Sequence, residues 1–187
     1  MSVLVVSAVG LVACGDDDDD GPDAITTEAG TVPVAASIPG TNIVTVVATD
    51  YKFSELPAEV PAGTKFALQN DSTAEAHEMI VIRIPDDEKR TIGQLAALPE
   101  AESDAVFAGV EPSTVIVALP GETGQAVEGD GTVTEPGRYA VVCFIPKGAD
   151  PDVLAEAMSN TAATGPPDMG TGPPHITQGM YAETVVK

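Results

Sequence analysis

A chain of 187 residues with 29 acidic against 8 basic side chains carries a formal charge of −21, which repels polyanionic nucleic acid and anionic lipid surfaces alike. Two histidines and two cysteines are too few for a multicopper oxidase, a binuclear zinc hydrolase built on imidazoles, or a serine–histidine–aspartate network that needs several histidines. With 43% apolar residues, 4% aromatics and no Trp, a core has to be filled by Val, Ile, Leu and Ala, and the β-branched share of that set favours a pleated surface.

The chain opens on an apolar run, Val3 to Ala13, shorter than the ~20 residues that cross a bilayer. It ends at Leu11-Val12-Ala13-Cys14-Gly15, and a short apolar stretch closing on small residues reads as a signal segment. The tetrapeptide resembles the lipobox of bacterial lipoproteins, whose Cys is acylated and becomes the first mature residue. The resemblance implies lipidation at Cys14 and a location outside the cell membrane, held to it only by lipid. No Lys or Arg precedes the run, which departs from the usual basic start; a plain secretory signal or a buried strand is the alternative. Asp16 to Asp20 follow at once, and a block of like charge stays solvated, as suits a tether. The expected organisation is a leader over 1–14, a flexible acidic linker over 15–41 and one folded domain over 42–187.

Within the domain, Ile43 to Thr49 is a β-branched strand. Pro57, Pro61 and Gly63 mark a turn, and Lys65 to Asn70 alternates as a half-buried strand does. His77 to Ile84 is nearly continuous apolar after Met79, which predicts a strand covered on both faces and stopped by Pro85. Short helices are expected over 91–98, 101–108 and 150–162. Further strands are expected over 114–119, 139–145 and 180–186, the fifth after the turn at Pro136-Gly137. Four Pro and three Gly make regular structure impossible over 165–174. Short strands between turn signals predict an all-β fold, a Greek-key sandwich or barrel, with short helices in inserted loops.

The chemistry-bearing residues fall on the junctions of these elements. His77 opens a strand, Cys143 sits near the end of one, and His175 and Met180 flank the loop His-Ile-Thr-Gln-Gly-Met that leads into the last. If Cys14 is acylated, Cys143 is a lone thiol in an oxidising compartment and needs a reason to be there. The alternative, a Cys14–Cys143 disulfide, would tie a leader to the domain. Each ligand candidate alone is more readily a core or loop residue. Together they are the only two His, the only Cys outside the leader and a Met. Two imidazoles, a thiolate and a weak axial thioether are the donors of a blue-copper site. Zinc also accepts a Cys-His-His set; the thioether favours copper. Met169 is a rival axial donor, and Met79 alternates into the core.

The stretch Val60-Pro61-Ala62-Gly63-Thr64-Lys65-Phe66 through His77, the run Pro136-Gly137-Arg138-Tyr139 into Cys143, and the His-x4-Met pair His175 and Met180 together resemble the cupredoxin (plastocyanin-like) family. The resemblance spans about residues 43–187. It implies one copper, cycling between two oxidation states in electron transfer, with no substrate chemistry. It also implies a redox partner, whose surface the acidic charge would select as basic. A monomer is expected. Copper carriage, or a metal-free interaction domain that keeps the fold, are the other readings. Two departures stand out. Residues 144–174 intervene between Cys143 and His175, where the family has a few; loop closure grows by only about 0.6 kcal/mol per doubling, so this is tolerable but leaves rigidity open. The position after the first His, often Asn in the family, is Glu78, which bears on how the Cys loop is braced and on the potential.

Overall fold

Thr64, Phe66, Leu68 and Asn70 are buried and the residues between them half-buried, the two-residue period that makes one face of a strand a core face. His77, Met79 and Val81 repeat that pattern a few residues later, and Tyr139, Val141 and Cys143 share one apolar cluster with them. A computed structural model describes residues 42–159 and 168–187. The expected leader 1–14 with Cys14, and the expected linker 15–41, lie outside the described residues.

In chain order the elements are β1 (Ile43–Thr49), β2 (Lys52–Ser54), β3 (Glu59–Val60), β4 (Thr64–Asn70), β5 (His77–Arg83), α1 (Ile92–Ala96), α2 (Glu100–Phe107), β6 (Pro112–Ala118), β7 (Gln125–Glu128), β8 (Thr132–Val133), β9 (Gly137–Val142), α3 (Pro151–Ser159) and β10 (Tyr181–Val186). They form two sheets, one ordered β2-β1-β4-β8 and the other β3-β10-β9-β5-β6-β7. The sheets pack as a sandwich and do not close into a barrel. β1 with β4, and β10 with β3, pair parallel; the other ladders are antiparallel. The main core, with Phe66, Leu68, Met79 and Val141, lies between the sheets.

The outer face of the larger sheet is also covered, as the unbroken apolar run of β5 requires. Ile80, Ile82, Ala140 and Val142 pack with Ile92 and Leu95 of α1 and with Phe107 of α2 in a second cluster. Thr91 caps α1 reciprocally with Gln94, each side chain taking the other's backbone N–H.

Several boundaries differ from the sequence reading. β9 ends at Val142, so Cys143 lies just beyond the strand. β10 begins at Tyr181. The loop after Pro174 is a turn of 3-10 helix, His175–Gln178, closed by Gly179 at φ 101°, a left-handed conformation that favours glycine. α3 spans Pro151–Ser159, and residues 160–162 lie outside the described residues. The short strands β2, β3, β7 and β8 had no sequence counterpart.

Asn70, at the end of β4, ties the loop that precedes His77 to the strand opposite it. Its Nδ2 donates to the carbonyls of Glu75 (2.9 Å) and Ala118 (3.1 Å), and its Oδ1 accepts from the Ser72 amide (2.9 Å). Ala118 is the register partner of His77. Asn70→Ala removes a partner from three backbone groups, of which the Ala118 carbonyl and the Ser72 amide are buried, at about 1–3 kcal/mol for each that water cannot reach. We expect a loss of about 3 kcal/mol, read as a lower urea midpoint at an unchanged slope.

Candidate metal centre

Three chain segments bring one donor each to a single buried point. His77 enters as the first residue of β5, on the same face as Met79 and Val81. Cys143 follows β9 with the parity of Tyr139 and Val141, and so faces the same core. His175 starts the 3-10 turn, its amide donating to the Ile145 carbonyl at 3.0 Å. The Nδ1 atoms of His77 and His175 are 3.2 Å apart, and Cys143 Sγ lies 3.4 Å from His175 Nδ1. The three donor atoms are all within 4.8 Å of one another. All three side chains are 0% exposed. Donors roughly 2.0–2.3 Å from a shared ion, at near-tetrahedral or trigonal angles, sit about 3.3–3.8 Å apart, so the cluster fits one metal ion.

Met180 is tied to two members of this triad. Its amide donates to the His175 carbonyl (3.1 Å) and its carbonyl accepts from the Cys143 amide (3.3 Å). Its side chain is fully buried in the main core cluster that also holds Cys143. Met169 is half-buried against the same cluster, and among the described residues no hydrogen bond ties it to the triad. Met79 is core, as its alternation predicts.

The long excursion between Cys143 and His175 is closed at its base. Ile176 donates to the Cys143 carbonyl (2.8 Å), His175 to Ile145 (3.0 Å) and Lys147 to Pro173 (3.0 Å). Pro146 and Pro174 form an isolated β-bridge. Gly172 is needed here because a Cβ at that position would collide with the Lys147 carbonyl. The two ends of the insertion therefore lie side by side, and this ladder ties the Cys143 segment directly to the His175 turn.

Glu78 does brace the Cys loop. Its amide donates to Cys143 Sγ at 3.4 Å, and its Oε1 accepts from the Phe144 amide at 2.8 Å. Burial raises its carboxyl pKa, against the lowering effect of that Phe144 hydrogen bond.

Two further residues went unnoticed in the sequence. Glu75 accepts from the Tyr51 hydroxyl at 3.1 Å and from the Gly148 amide at 3.1 Å. Its Oε2 is 3.5 Å from His175 Nε2, near enough for charge attraction but outside hydrogen-bond geometry, so Nε2 of His175, like that of His77, makes no hydrogen bond among the described residues. The Tyr51 ring meets the His175 ring edge-on, centroids 5.0 Å apart. Tyr51 holds φ at 60°, strained for a bulky residue. No spacing or periodicity signals such a cover.

Burial decides the protonation of the metal-free cluster. It pushes the Cys143 thiol up to about 12, with the Glu78 carboxylate adding in the same direction. It pulls His77 down to about 4, with His175 adding to the effect, and lowers His175 as well. At neutral pH the cluster is a thiol and two neutral imidazoles, which lends itself to taking a cation in exchange for one proton.

The described residues thus form a two-sheet β-sandwich with a buried cluster of candidate donors, two imidazole nitrogens and a sulfur beside a buried methionine, of the types that hold type 1 copper. No family model and no curated protein sequence matches the chain. Among solved structures it is similar to a dithionite-reduced auracyanin from the photosynthetic bacterium Roseiflexus castenholzii, at 17% identity over 78% of this chain and 97% of that one, with a TM-score of 0.41. It is likewise similar to auracyanin A, described as a blue copper protein, from Chloroflexus aurantiacus (16% identity, 79% of this chain, 100% of that one, TM-score 0.40). Reduced rusticyanin aligns at 17% identity over 79% of this chain and 83% of that one, with a TM-score of 0.30. The candidate metal centre rests on its own distances and donor chemistry.

Proposed function

We propose that this chain is a cupredoxin-type electron-transfer protein that holds one copper through His77, Cys143, His175 and Met180 and works outside the cell membrane, anchored through Cys14. The observation that carries the proposal is the meeting of three fully buried donors, from segments far apart in sequence, within 4.8 Å of one another. Bound copper supplies a one-electron couple tuned by the thiolate and the weak thioether. The chain's own part is to keep the donors still. Asn70 fixes the His77 loop, Glu78 fixes the Cys143 loop, and the ladder below the insertion fixes His175. A frame that does not move between oxidation states leaves little to reorganise when an electron passes.

Complete burial of the donors supports a resident ion over a cargo, which favours electron transfer over copper delivery. The charge of −21 supports a partner with a basic surface, and their association should weaken with salt. Copper(II) titrated into the purified protein is expected to give an intense visible thiolate-to-copper band that saturates at one copper per chain and resists a competing chelator. A folded protein that takes up copper without this band sinks the proposal. Ready loss of the metal to the chelator would favour carriage. No uptake at all would favour a metal-free interaction domain.

A further inference from the structure

Both imidazole rings of the centre are sealed from solvent, His175 by the strained Tyr51 and by the Glu75–Gly148 clasp. A redox partner therefore cannot touch a ligand ring. Of the residues bonded in sequence to the four ligands, the exposed ones are Phe144 and Gly179, and only Phe144 has a side chain to offer. Phe144 is 50% exposed although it is large and apolar, and its backbone is bonded directly to Cys143.

The phenyl ring does not stand alone. It lines two adjoining pockets, one of about 270 Å³ between the outer face of the larger sheet and α2, the other of about 460 Å³ between the helical segment (Ala96, Leu98, Asp104) and the turn that carries His175 (Pro174, Ile176, Thr177). Ile80, Ile82 and Val142 form the floor of the first, and Ile176, next to His175, lines both. The polar rim includes Asp104, and no basic side chain lines either pocket. Glu102 of α2 adds to that charge, and the helix has no Lys or Arg. The three arginines are engaged elsewhere, Arg83 with Asp86, Arg90 with Glu88 and Arg138 with Glu183. An apolar groove with an acidic rim, one residue from the thiolate, is complementary to an apolar patch ringed by basic side chains.

We propose that the groove beside Phe144 is the docking surface for a redox protein of that chemistry, and that electrons are exchanged across this face and not at an imidazole edge. This rests on the copper reading above. The probe is a basic cytochrome c, whose ferrous haem gives up one electron as the oxidised copper centre gains one. With the copper-loaded protein, Phe144→Ser is expected to cut the second-order rate at least tenfold, with the visible band and midpoint potential unchanged. Val127→Ser, which removes another exposed apolar side chain at a distant edge strand, is expected to leave the rate unchanged. Asp104→Lys should slow reaction with cytochrome c and speed reaction with anionic ferrocyanide. With the metal-free protein, added cytochrome c should shift the amide resonances of Phe144, Ile176 and Asp104. Absence of the band in wild type would overturn the copper reading itself. A normal band with an undiminished rate in Phe144→Ser, or shifts centred elsewhere, would overturn the docking face alone. A dimer that forms with increasing concentration and protects the same amides would assign the groove to a second copy and overturn the redox-partner role.

Discussion

Cys143→Ser is expected to erase the visible band completely and to weaken copper binding far beyond the roughly 100-fold that loss of an outer-shell partner costs. The band belongs to charge transfer from thiolate sulfur to copper, and a serine oxygen has no counterpart in that part of the spectrum. The fold should survive. The substitution is close to isosteric, and a hydroxyl can serve the two neighbours that the sulfur serves now, the Glu78 amide at 3.4 Å and His175 Nδ1 at 3.4 Å. The metal-free variant should therefore unfold within about 1–2 kcal/mol of the metal-free parent, since a buried polar group that keeps its partners loses little. Spectrophotometric titration and denaturant unfolding of both proteins read the two effects separately. Persistence of the colour in the variant would refute Cys143 as the ligand. Loss of colour together with collapse of the metal-free fold would assign Cys143 to packing instead.

The candidate ligands were legible in the sequence because they are constrained twice. Each has to be a particular residue type, and each has to stand where a strand meets a loop. Four scattered residues in a chain with only two histidines satisfied both conditions. The strands around them were legible for the ordinary reason of two-residue alternation, as in Phe66, Leu68 and Asn70 of β4, or of a run apolar on both faces, as in β5. The missed strands lacked that signal. Gln125–Glu128 is exposed along its whole length as an edge strand, and Glu59–Val60 is too short to show a period, being held by parallel pairing with the end of β10. The cover over His175 was illegible for a different reason. It depends on a left-handed backbone at Tyr51 and on a carboxylate that reaches Gly148 across 73 residues, and neither leaves a local pattern. The 144–174 insertion was read as a threat to rigidity because spacing counts residues along the chain. Hydrogen bonds across its neck count instead in space.

The second large effect is that metal uptake should strengthen about tenfold for each unit of pH between roughly pH 6.5 and 8, about thirtyfold in all. The slope equals the number of protons that the ion displaces. Cys143 keeps its proton up to about 12, so across this window the thiol always has one to lose. His77 has already lost its own, because burial and the neighbouring His175 hold it down to about 4, and His175 is lowered too. Exposed imidazoles would add further protons, and a steeper slope, below about pH 6.5. Here burial delays that steepening, since His175 is lowered and His77 takes up its proton only near pH 4. The same depression fixes the acid behaviour of the metal-free fold. A histidine whose folded value lies below its unfolded one contributes stability that is complete above about pH 6.5 and is lost as pH falls towards 4, on the order of 2–3 kcal/mol. Competition against a chelator of known proton affinity at four pH values measures the uptake slope, and Cys143→Ser should flatten any residual slope to near zero. A wild-type slope near two at pH 6 would mean that the imidazoles are solvated, and that the burial on which the single-proton exchange depends does not hold.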